Sequence, residues 1–431
     1  MPATALPRRI LIGHTLAGVL IMSVWFGISS MMAVLARKRF DAGDWQTLLI
    51  TAAVPTLLSL SIFWNDLLRR MTIGRYLVVH WAGTMLPLAG AALARDFWML
   101  FACFALAAAG FAGWSPVSGE VLKRFYPDAI RGRAFGIINS ATFLGMTATS
   151  FVVGRALDGS PNSFRIYLPA AAVAYGGGVL LLRQLVGRTG TDDARAPSAA
   201  AAPGFRGVLA PMLQMRAVLR ADRTFYRYEA AFMTYGVGWM VCNALLPVLA
   251  TDRLHMSYTA FAASTQVIYP ACMLLMIYPM GRLMDRIGPT RVSGLSFALL
   301  TLYPLGLLFA GSVSAVGGAT VVYGIAMAGV QIAWMLGPVT LAPSPDKVAH
   351  YVAIHATLVG LRGILAQGLG MAVYRLTGSF TWPFALAAAS YAWASWQMWR
   401  LHRLMTPPAA ARSEPEAPAP GSRTPHTSGG P

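Results

Sequence analysis

The sequence predicts an all-α integral membrane protein with about twelve transmembrane helices arranged in two bundles of six. Of its 431 residues, 56% are hydrophobic and only 12% are charged, about half the charged fraction of a typical soluble domain. The apolar residues also form long blocks without an ionised side chain, such as 10–35, 97–117 and 297–310. A segment of roughly 20 apolar residues spans a bilayer as a helix, which satisfies all of its own backbone polar groups.

The apolar blocks divide the chain into two helical regions. We predict a cytoplasmic N-terminus over 1–10, one six-helix bundle over 11–186, a linker over 187–226, a second bundle over 227–403 and a disordered tail over 404–431. The linker contains prolines and an amphipathic run that is typical of a surface segment. The predicted helices cover 11–34, 47–65, 74–94, 97–121, 134–156, 165–186, 227–251, 260–282, 290–311, 315–341, 349–375 and 380–403.

The net charge of +18 is explained by topology rather than by nucleic-acid binding. Lys and Arg are concentrated in one set of alternate loops, which the positive-inside rule places in the cytoplasm together with both termini. Arginine far outnumbers lysine, and alanine is abundant. This composition favours a bacterial protein, and we expect it in the inner (plasma) membrane.

The two predicted bundles resemble each other in sequence. Residues of the first half recur in the second half at a nearly constant spacing: Trp25 with Trp239, Arg39 with Arg253, Arg75 with Arg291, and Pro127 with Pro345. Several landmarks in register indicate a duplication. Repeated halves with a solute site between them are common among secondary transporters.

The sharpest motif is G-R-L-M-D-R-I-G-P-T-R at residues 281–291, between predicted helices 8 and 9. Here the chain resembles the major facilitator superfamily, whose loop motif reads G-x-x-x-D-R/K-x-G-x-x-R/K. Gly281 would permit close helix approach, and Gly288 would permit a tight turn. Asp285 could accept hydrogen bonds at a helix N-terminus, while Arg286 and Arg291 could bridge to carboxylates or lipid phosphates. A merely positive cytoplasmic loop is the alternative.

The corresponding loop of the first half, 65–75, departs from the motif. Arg69 stands where the second half has its aspartate, and Asp66 is displaced toward the start of the loop. This departure puts a symmetric pair of gates in doubt.

The resemblance also implies a charge network at the cytoplasmic end of the first half. Glu120 would pair with Arg70 and with Arg133, and Arg131 opens the same helix as Arg133. Several such pairs in a partly dry site could favour one of two conformations. A solvated interfacial carboxylate is the alternative for Glu120.

Arg362 is unusual because it lies midway along predicted helix 11. A charge at that depth costs on the order of 3 kcal/mol, so it should face protein or water. His355 lies seven residues earlier on the same helical face, and the two could hold an anionic group of a substrate. An arginine bonded to carbonyls of a broken helix, or one reaching for the interface, would explain the residue equally well.

In the superfamily, helices 1, 4, 7 and 10 line the central cavity. By that resemblance the candidate lining residues are Trp25, Ser29, Trp114, Ser118, Tyr235, Trp239, Asn243, Tyr323, Gln331 and Trp334. Aromatic faces with a few polar groups suit an organic solute, although core packing and interfacial belts also use such residues. Acids are scarce: Glu229 is expected near the cytoplasmic start of helix 7, and none is expected deep in these four helices.

The resemblance implies a secondary transporter that moves a small organic solute, neutral or anionic, by alternating access. The alternative is a non-transporting relative that acts as a membrane sensor or assembly factor. The sequence contains no nucleophile–base set, metal cluster or phosphate-binding loop, so we expect neither an enzyme nor a bound cofactor or metal. Proton coupling is left open. The expected partners are the solute and membrane lipids, and the expected state is a monomer.

Overall fold

The structure, a computed structural model, describes residues 8–188, 215–344 and 347–405, and these ranges are helical without any β-strand. The predicted N-terminal segment, most of the predicted linker and most of the predicted tail fall on 1–7, 189–214 and 406–431, outside the described residues. Nine of the described helices are long and apolar enough to cross a membrane.

Six helical rods form the first half, and several are broken into consecutive pieces. They are α1 (Arg8–Gly18, the π-helical turn Val19–Ser23, Val24–Ser29 and Met32–Phe40), α2 (Asp44–Leu57, Leu58–Leu60 and Ser61–Arg70), α3 (Ile73–Gly90), α4 (Phe97–Phe111 and Trp114–Phe125), α5 (Asp128–Gly159) and α6 (Phe164–Arg188).

Six rods form the second half in the same order. They are α7 (Arg223–Val248 and the π-helical turn Leu249–Arg253), α8 (Tyr258–Phe261, the π-helical turn Ala262–Val267 and Ile268–Ile287), α9 (Pro289–Leu300 and Leu302–Leu308), α10 (Val313–Leu341), α11 (Val348–Thr377) and α12 (Thr381–Met405).

The ends of α1 and α7 show the sequence repeat as repeated geometry. Asp41 and His255 follow these helices with φ values of 50° and 45°, a left-handed conformation that residues other than glycine seldom adopt. The backbone amides that follow make equivalent hydrogen bonds. Ala42 donates to the carbonyl of Ala36 (3.1 Å), and Met256 donates to the carbonyl of Ala250 (2.8 Å). Both helices therefore end in the same way, with a left-handed residue followed by an amide that bonds to the carbonyl six residues back.

Packing follows the two halves. In the first half α1 packs on α5 and α6, and α3 packs on α4 and α6, while in the second half α7 packs on α11 and α12, and α10 packs on α8 and α9. The halves meet along a narrower seam, where α2 contacts α7 and α11, and α5 contacts α8. A cavity can therefore lie between the halves without interrupting either core.

Helix α7 begins at Arg223, four residues before the predicted start. The carboxylate of Asp222 accepts hydrogen bonds from the amides of Thr224 (3.0 Å) and Phe225 (2.9 Å), which caps the helix. Because the helix starts earlier, Glu229 lies nearly two turns inside it and is only 2% exposed. Glu229 is therefore a buried residue within the helix bundle and not an exposed one at the first turn of α7.

Candidate functional site

A cavity of about 430 Å³ lies between the two halves. That volume is within the range of ordinary small-molecule sites. Its walls come mainly from α1, α2, α7, α8 and α10. The side chains that can contact a ligand there include Ser29, Ser30, Thr51, Trp239, Asn243, Gln266, Tyr269, Tyr303 and Tyr323.

One wall of the cavity is aromatic and is built by the second half. The indole N–H of Trp239 donates to the hydroxyl of Tyr323 at 2.8 Å, which joins α7 to α10. The ring of Tyr323 also lies against Tyr303 (centroids 4.6 Å apart) and Tyr269 (5.1 Å). These contacts fix the rings in place, so the wall offers a rigid surface for stacking.

The polar groups of the cavity are neutral. Asn243 is exposed to it, and within the described part of the chain its amide has no hydrogen-bond partner. Gln266 donates only a 3.3 Å bond to the neighbouring Thr265. Among the described residues, no Asp, Glu, Lys, Arg or His lines the cavity. The site can therefore donate and accept hydrogen bonds but supplies no counter-charge.

A buried polar cluster lies beside this cavity, inside the second half. The Nδ1 of His355 on α11 is 2.9 Å from both carboxylate oxygens of Glu229 on α7, and both residues are 2% exposed. About one turn further along α7, the guanidinium of Arg362 donates to the carbonyl of Phe232 and lies over the ring of Tyr235, 5.1 Å from its centroid. We call Glu229, Tyr235, His355 and Arg362 the α7–α11 cluster.

The cluster still has unused hydrogen-bonding capacity. The Nε2 atom of His355 and two guanidinium nitrogens of Arg362 are buried without a partner among the described atoms. Gly236 provides the space for the guanidinium, because a Cβ at that position would overlap it. Removing one partner of a buried charge pair usually costs several kcal/mol of stability. Because a buried charge is so costly, an ionisable residue inside a membrane bundle is a candidate functional residue.

The structure brings only part of the predicted site together. Ser29, Trp239, Asn243 and Tyr323 line the cavity, whereas the other candidates lie elsewhere: Trp25, Trp114, Ser118, Tyr235, Gln331, Trp334, His355 and Arg362. The reason is packing. Trp25 is 1% exposed because it stacks on Phe111 at 4.3 Å, and Arg362 faces the backbone of α7 instead of the cavity.

Sequence reasoning missed the contributions of α2, α8 and α9. Thr51 and Gln266 are polar residues in apolar helices, which is a signal for an inward-facing position. They were not among the predicted lining residues because the family resemblance implies a cavity lined by helices 1, 4, 7 and 10. Glu229 was missed for a different reason, the misplaced start of α7.

One end of the cavity is closed by charged contacts between the halves, and we call it the Arg37 end. Arg37 of α1 pairs with Asp252 of α7 and with Asp44 of α2 (3.1 Å), and Asp44 also pairs with Arg375 of α11 (3.1 Å). The chain Asp252–Arg37–Asp44–Arg375 thus alternates in charge and crosses the seam twice. Arg37 is largely buried in it, with a side chain 8% exposed.

Two further contacts cross the seam at the same end. The carboxylate of Asp158, at the end of α5, accepts the first amides of α8 from Tyr258 and Thr259, each at 2.8 Å. An anion at this position is favoured by the helix dipole. Lys38 donates to the carbonyl of Met256 at 3.0 Å and lies over the ring of Tyr258.

The opposite end, which we call the Gly288 end, holds the 281–291 motif. Gly288 has a φ of 80°, so the turn between α8 and α9 requires glycine there. Gly281 does not mediate a close approach, because a Cβ there would meet only Ile332 at 3.9 Å. Asp285 and Arg286 are exposed, with no ion pair to any described residue, while Arg291 donates to His402 at 2.7 Å.

Three residues of the predicted first-half network at the Gly288 end have partners close in sequence. Glu120 accepts from Arg124 on its own helix at 2.8 Å, and Arg70 pairs with Asp66 at 2.7 Å. Arg131 donates to the carbonyl of Tyr126 at 3.2 Å. Arg133 is exposed. Arg70 therefore pairs within its own helix, and the predicted pair between Arg70 and Glu120 is not formed.

Two six-helix halves, a cavity on the seam and contacts that close one end define a membrane protein with the fold of a transporter. A family model described as Major Facilitator Superfamily matches residues 11–343 and 230–428, and the chain belongs to that superfamily. The predicted fold class is thereby confirmed. No protein among the curated sequences matches this chain.

Solved structures with this fold include three transporters of different solutes. The chain is similar to a peptide transporter, POT, crystallised with sulfate (TM-score 0.74, 14% identity, 93% of this chain and 98% of the other). It is also similar to the nucleoside transporter NupG (0.69, 14%, 91% and 99%) and to the human organic anion transporter MFSD10, TETRAN (0.63, 18%, 94% and 100%). At these identities the likeness concerns the fold.

Proposed function

We propose that the protein is a secondary active transporter that carries a small neutral organic solute by alternating access. The observation that carries the proposal is the asymmetry of the seam. Charged contacts join the halves at the Arg37 end, whereas Asp285 and Arg286 at the Gly288 end form no ion pair with any residue that the structure describes. This is the arrangement expected of a carrier in one of its two states, with the cavity closed on one side of the membrane.

The charge distribution gives this state an orientation. The positive-inside rule assigns the Gly288 end and both termini to the cytoplasm, so the Arg37 end would face the periplasm of a bacterial inner membrane. The described state would then be open toward the cytoplasm. In the alternate state the Arg37 end separates, and Asp285 becomes available to contact the facing helix ends at the Gly288 end.

The lining of the cavity selects among solute classes. The strongest hydrogen bonds to an anionic substrate come from a guanidinium or ammonium group, and those to a cationic one come from a carboxylate. Neither is present in the described lining, so a neutral solute with an aromatic or planar portion fits best. Its planar portion would stack on the tyrosine wall, and its polar groups would bond to Asn243 and Gln266.

The α7–α11 cluster is the proposed carrier of a coupled proton. Glu229 and His355 can share a proton between them, and α7 connects the pair directly to Trp239 and Asn243 in the cavity. A change of protonation alters the charge balance around Arg362, and hence the packing of α11 against α7. Coupling through a shared helix needs no contact between solute and proton site.

Counterflow in proteoliposomes tests the proposal. Vesicles preloaded with one candidate solute should take up its labelled form, across a panel of neutral nucleosides, sugars, amides and aromatic metabolites. Trp239→Phe should lower uptake, whereas Trp98→Phe should not, because Trp98 is 59% exposed on the outer surface. Absence of counterflow for every solute, together with a stoichiometric protein partner on purification, would instead indicate a non-transporting sensor or assembly factor.

A further inference from the structure

A second cavity lies on the outer surface of the second half, between the start of α7 and the end of α12. Its volume is about 340 Å³, and it is lined by Arg227 and Ala230 of α7 and by residues of α12 from Trp393 to Leu404. It shares no lining residue with the central cavity. We call it the α7–α12 groove.

The charge of the α7–α12 groove is entirely positive. Arg227 and Arg400 are exposed, and neither forms an ion pair with a described residue. No Asp or Glu belongs to the described lining. The guanidinium of Arg400 lies over the ring of Trp396, 5.3 Å from its centroid, which orders the side chain before any ligand binds. Two unneutralised guanidinium groups on adjacent helices form a natural site for a phosphate.

The remaining surface of the groove is apolar and aromatic. Trp393 and Trp396 stack with centroids 4.6 Å apart, and they are 54% and 45% exposed. Tryptophans of this kind gather where a membrane protein meets the lipid headgroups. Leu404 is 57% exposed at the same site. Beside the two arginines, the groove therefore offers an apolar surface that an acyl chain or a glycerol backbone would cover.

Gln397 provides an additional, independent sign of a ligand. Its Oε1 is buried and has no hydrogen-bond partner among the described atoms, whereas its amide nitrogen is 3.5 Å from the hydroxyl of Thr234. A buried amide oxygen without a donor is costly. Because Gln397 lines the groove, rotation of its side chain would bring that oxygen to a lipid headgroup hydroxyl beside the two arginines.

We propose that the α7–α12 groove binds a phospholipid with an anionic, hydroxyl-bearing headgroup, of the phosphatidylglycerol class. The phosphate lies between Arg227 and Arg400, and a headgroup hydroxyl donates to Gln397. The two tryptophans flank the glycerol region. The bound lipid holds the start of α7 against α12 and so supports the helix that carries Glu229. The inference depends on the membrane location and is independent of the transported solute.

Native mass spectrometry of the full-length protein titrated with phosphatidylglycerol tests the proposal, with phosphatidylcholine as the neutral lipid. Wild-type protein should retain phosphatidylglycerol preferentially. The double variant R227Q/R400Q should weaken that binding roughly 30-fold, since each arginine near a membrane surface contributes about 1 kcal/mol. Gln397→Ala should weaken it less and should reduce the preference for a hydroxyl-bearing headgroup.

The control is R183Q/R282Q, which removes the same charge from two exposed arginines. Arg282 also lies over an aromatic ring, that of Tyr278 at 5.0 Å, but neither arginine lines the groove. Equal loss in this control would overturn the proposal in favour of general surface charge. So would unchanged binding by R227Q/R400Q, equal retention of phosphatidylcholine, or equally effective competition by soluble glycerol phosphate. Melting temperatures of the variants near that of wild type confirm that folding is not the cause.

Discussion

Replacing Arg37 by alanine should release the Arg37 end while leaving the first half folded. The side chain bonds to four partners, of which Asp44 and Thr47 belong to its own half, and Thr251 and Asp252 belong to the other. In the proposed mechanism, only the second pair of contacts distinguishes the closed state from the open one. Asp44 keeps Arg375 as a partner after the substitution, so no buried carboxylate is left without a cation.

The size of the effect follows from these two contacts. The hydrogen bond from Arg37 to Thr251 is 2.9 Å long, and a bond from a charged donor contributes about 1.5 kcal/mol or more. The pair with Asp252 contributes less, below about 1 kcal/mol, because that side chain is 45% exposed. Together they amount to about 2 kcal/mol, which corresponds to a roughly 30-fold shift of the closed-to-open ratio.

Double electron–electron resonance between spin labels at Arg95 and Ser314 measures that ratio. Both sites are exposed near the Arg37 end, one in each half, and the native cysteines would first be replaced. Arg39→Ala is the matched control, since Arg39 bonds to Asn162 within its own half at 2.9 Å. An unchanged distance distribution in Arg37→Ala, or an equal change in Arg39→Ala, would refute the assignment of Arg37 to the gate.

Three further substitutions test the cavity and the α7–α11 cluster. Gly236→Ala should lower the free energy of unfolding by about 1–3 kcal/mol through overpacking against the guanidinium, measured by thermal melting, whereas Gly177→Ala, with open space around it, should not. Trp239→Phe keeps an aromatic ring, although a smaller one, and loses a hydrogen bond of about 1 kcal/mol, so the half-saturation concentration for counterflow should rise about 5-fold. Glu229→Gln should abolish accumulation driven by a pH gradient yet retain counterflow, and intact accumulation would exclude the carboxylate as the proton carrier.

The broad architecture could be predicted because apolar length and loop charge determine it. Blocks of apolar residues locate the helices, and the repeated landmarks divide them into two halves. The interruptions within helices were harder to predict from the sequence, since the π-helical turns of α1, α7 and α8 contain ordinary helix-forming residues. Gly18 precedes the π-helical turn of α1 and Pro247 precedes that of α7, but a glycine or proline marks an irregularity without specifying a π-helical turn.

The candidate site was only partly predictable because burial depends on neighbours from distant parts of the chain. Trp25 and Trp239 occupy equivalent positions in the repeat, yet Trp25 is covered by Phe111 and Trp239 faces the cavity. Arg362 was identified as exceptional from its depth alone. Its orientation toward α7 depends on Gly236, which lies more than a hundred residues away and offers room that only glycine can provide.

The neutral lining of the central cavity also determines how the carrier would respond to voltage. An uncharged solute gains nothing from the membrane potential, whereas a proton moving inward gains about 2.3 kcal/mol for each 100 mV. The logarithm of the solute accumulation ratio can be plotted against an imposed potential. The slope of that plot would count the protons translocated with each solute molecule. A slope of zero would describe a facilitator, and a slope of one charge would describe a symporter powered by the α7–α11 cluster.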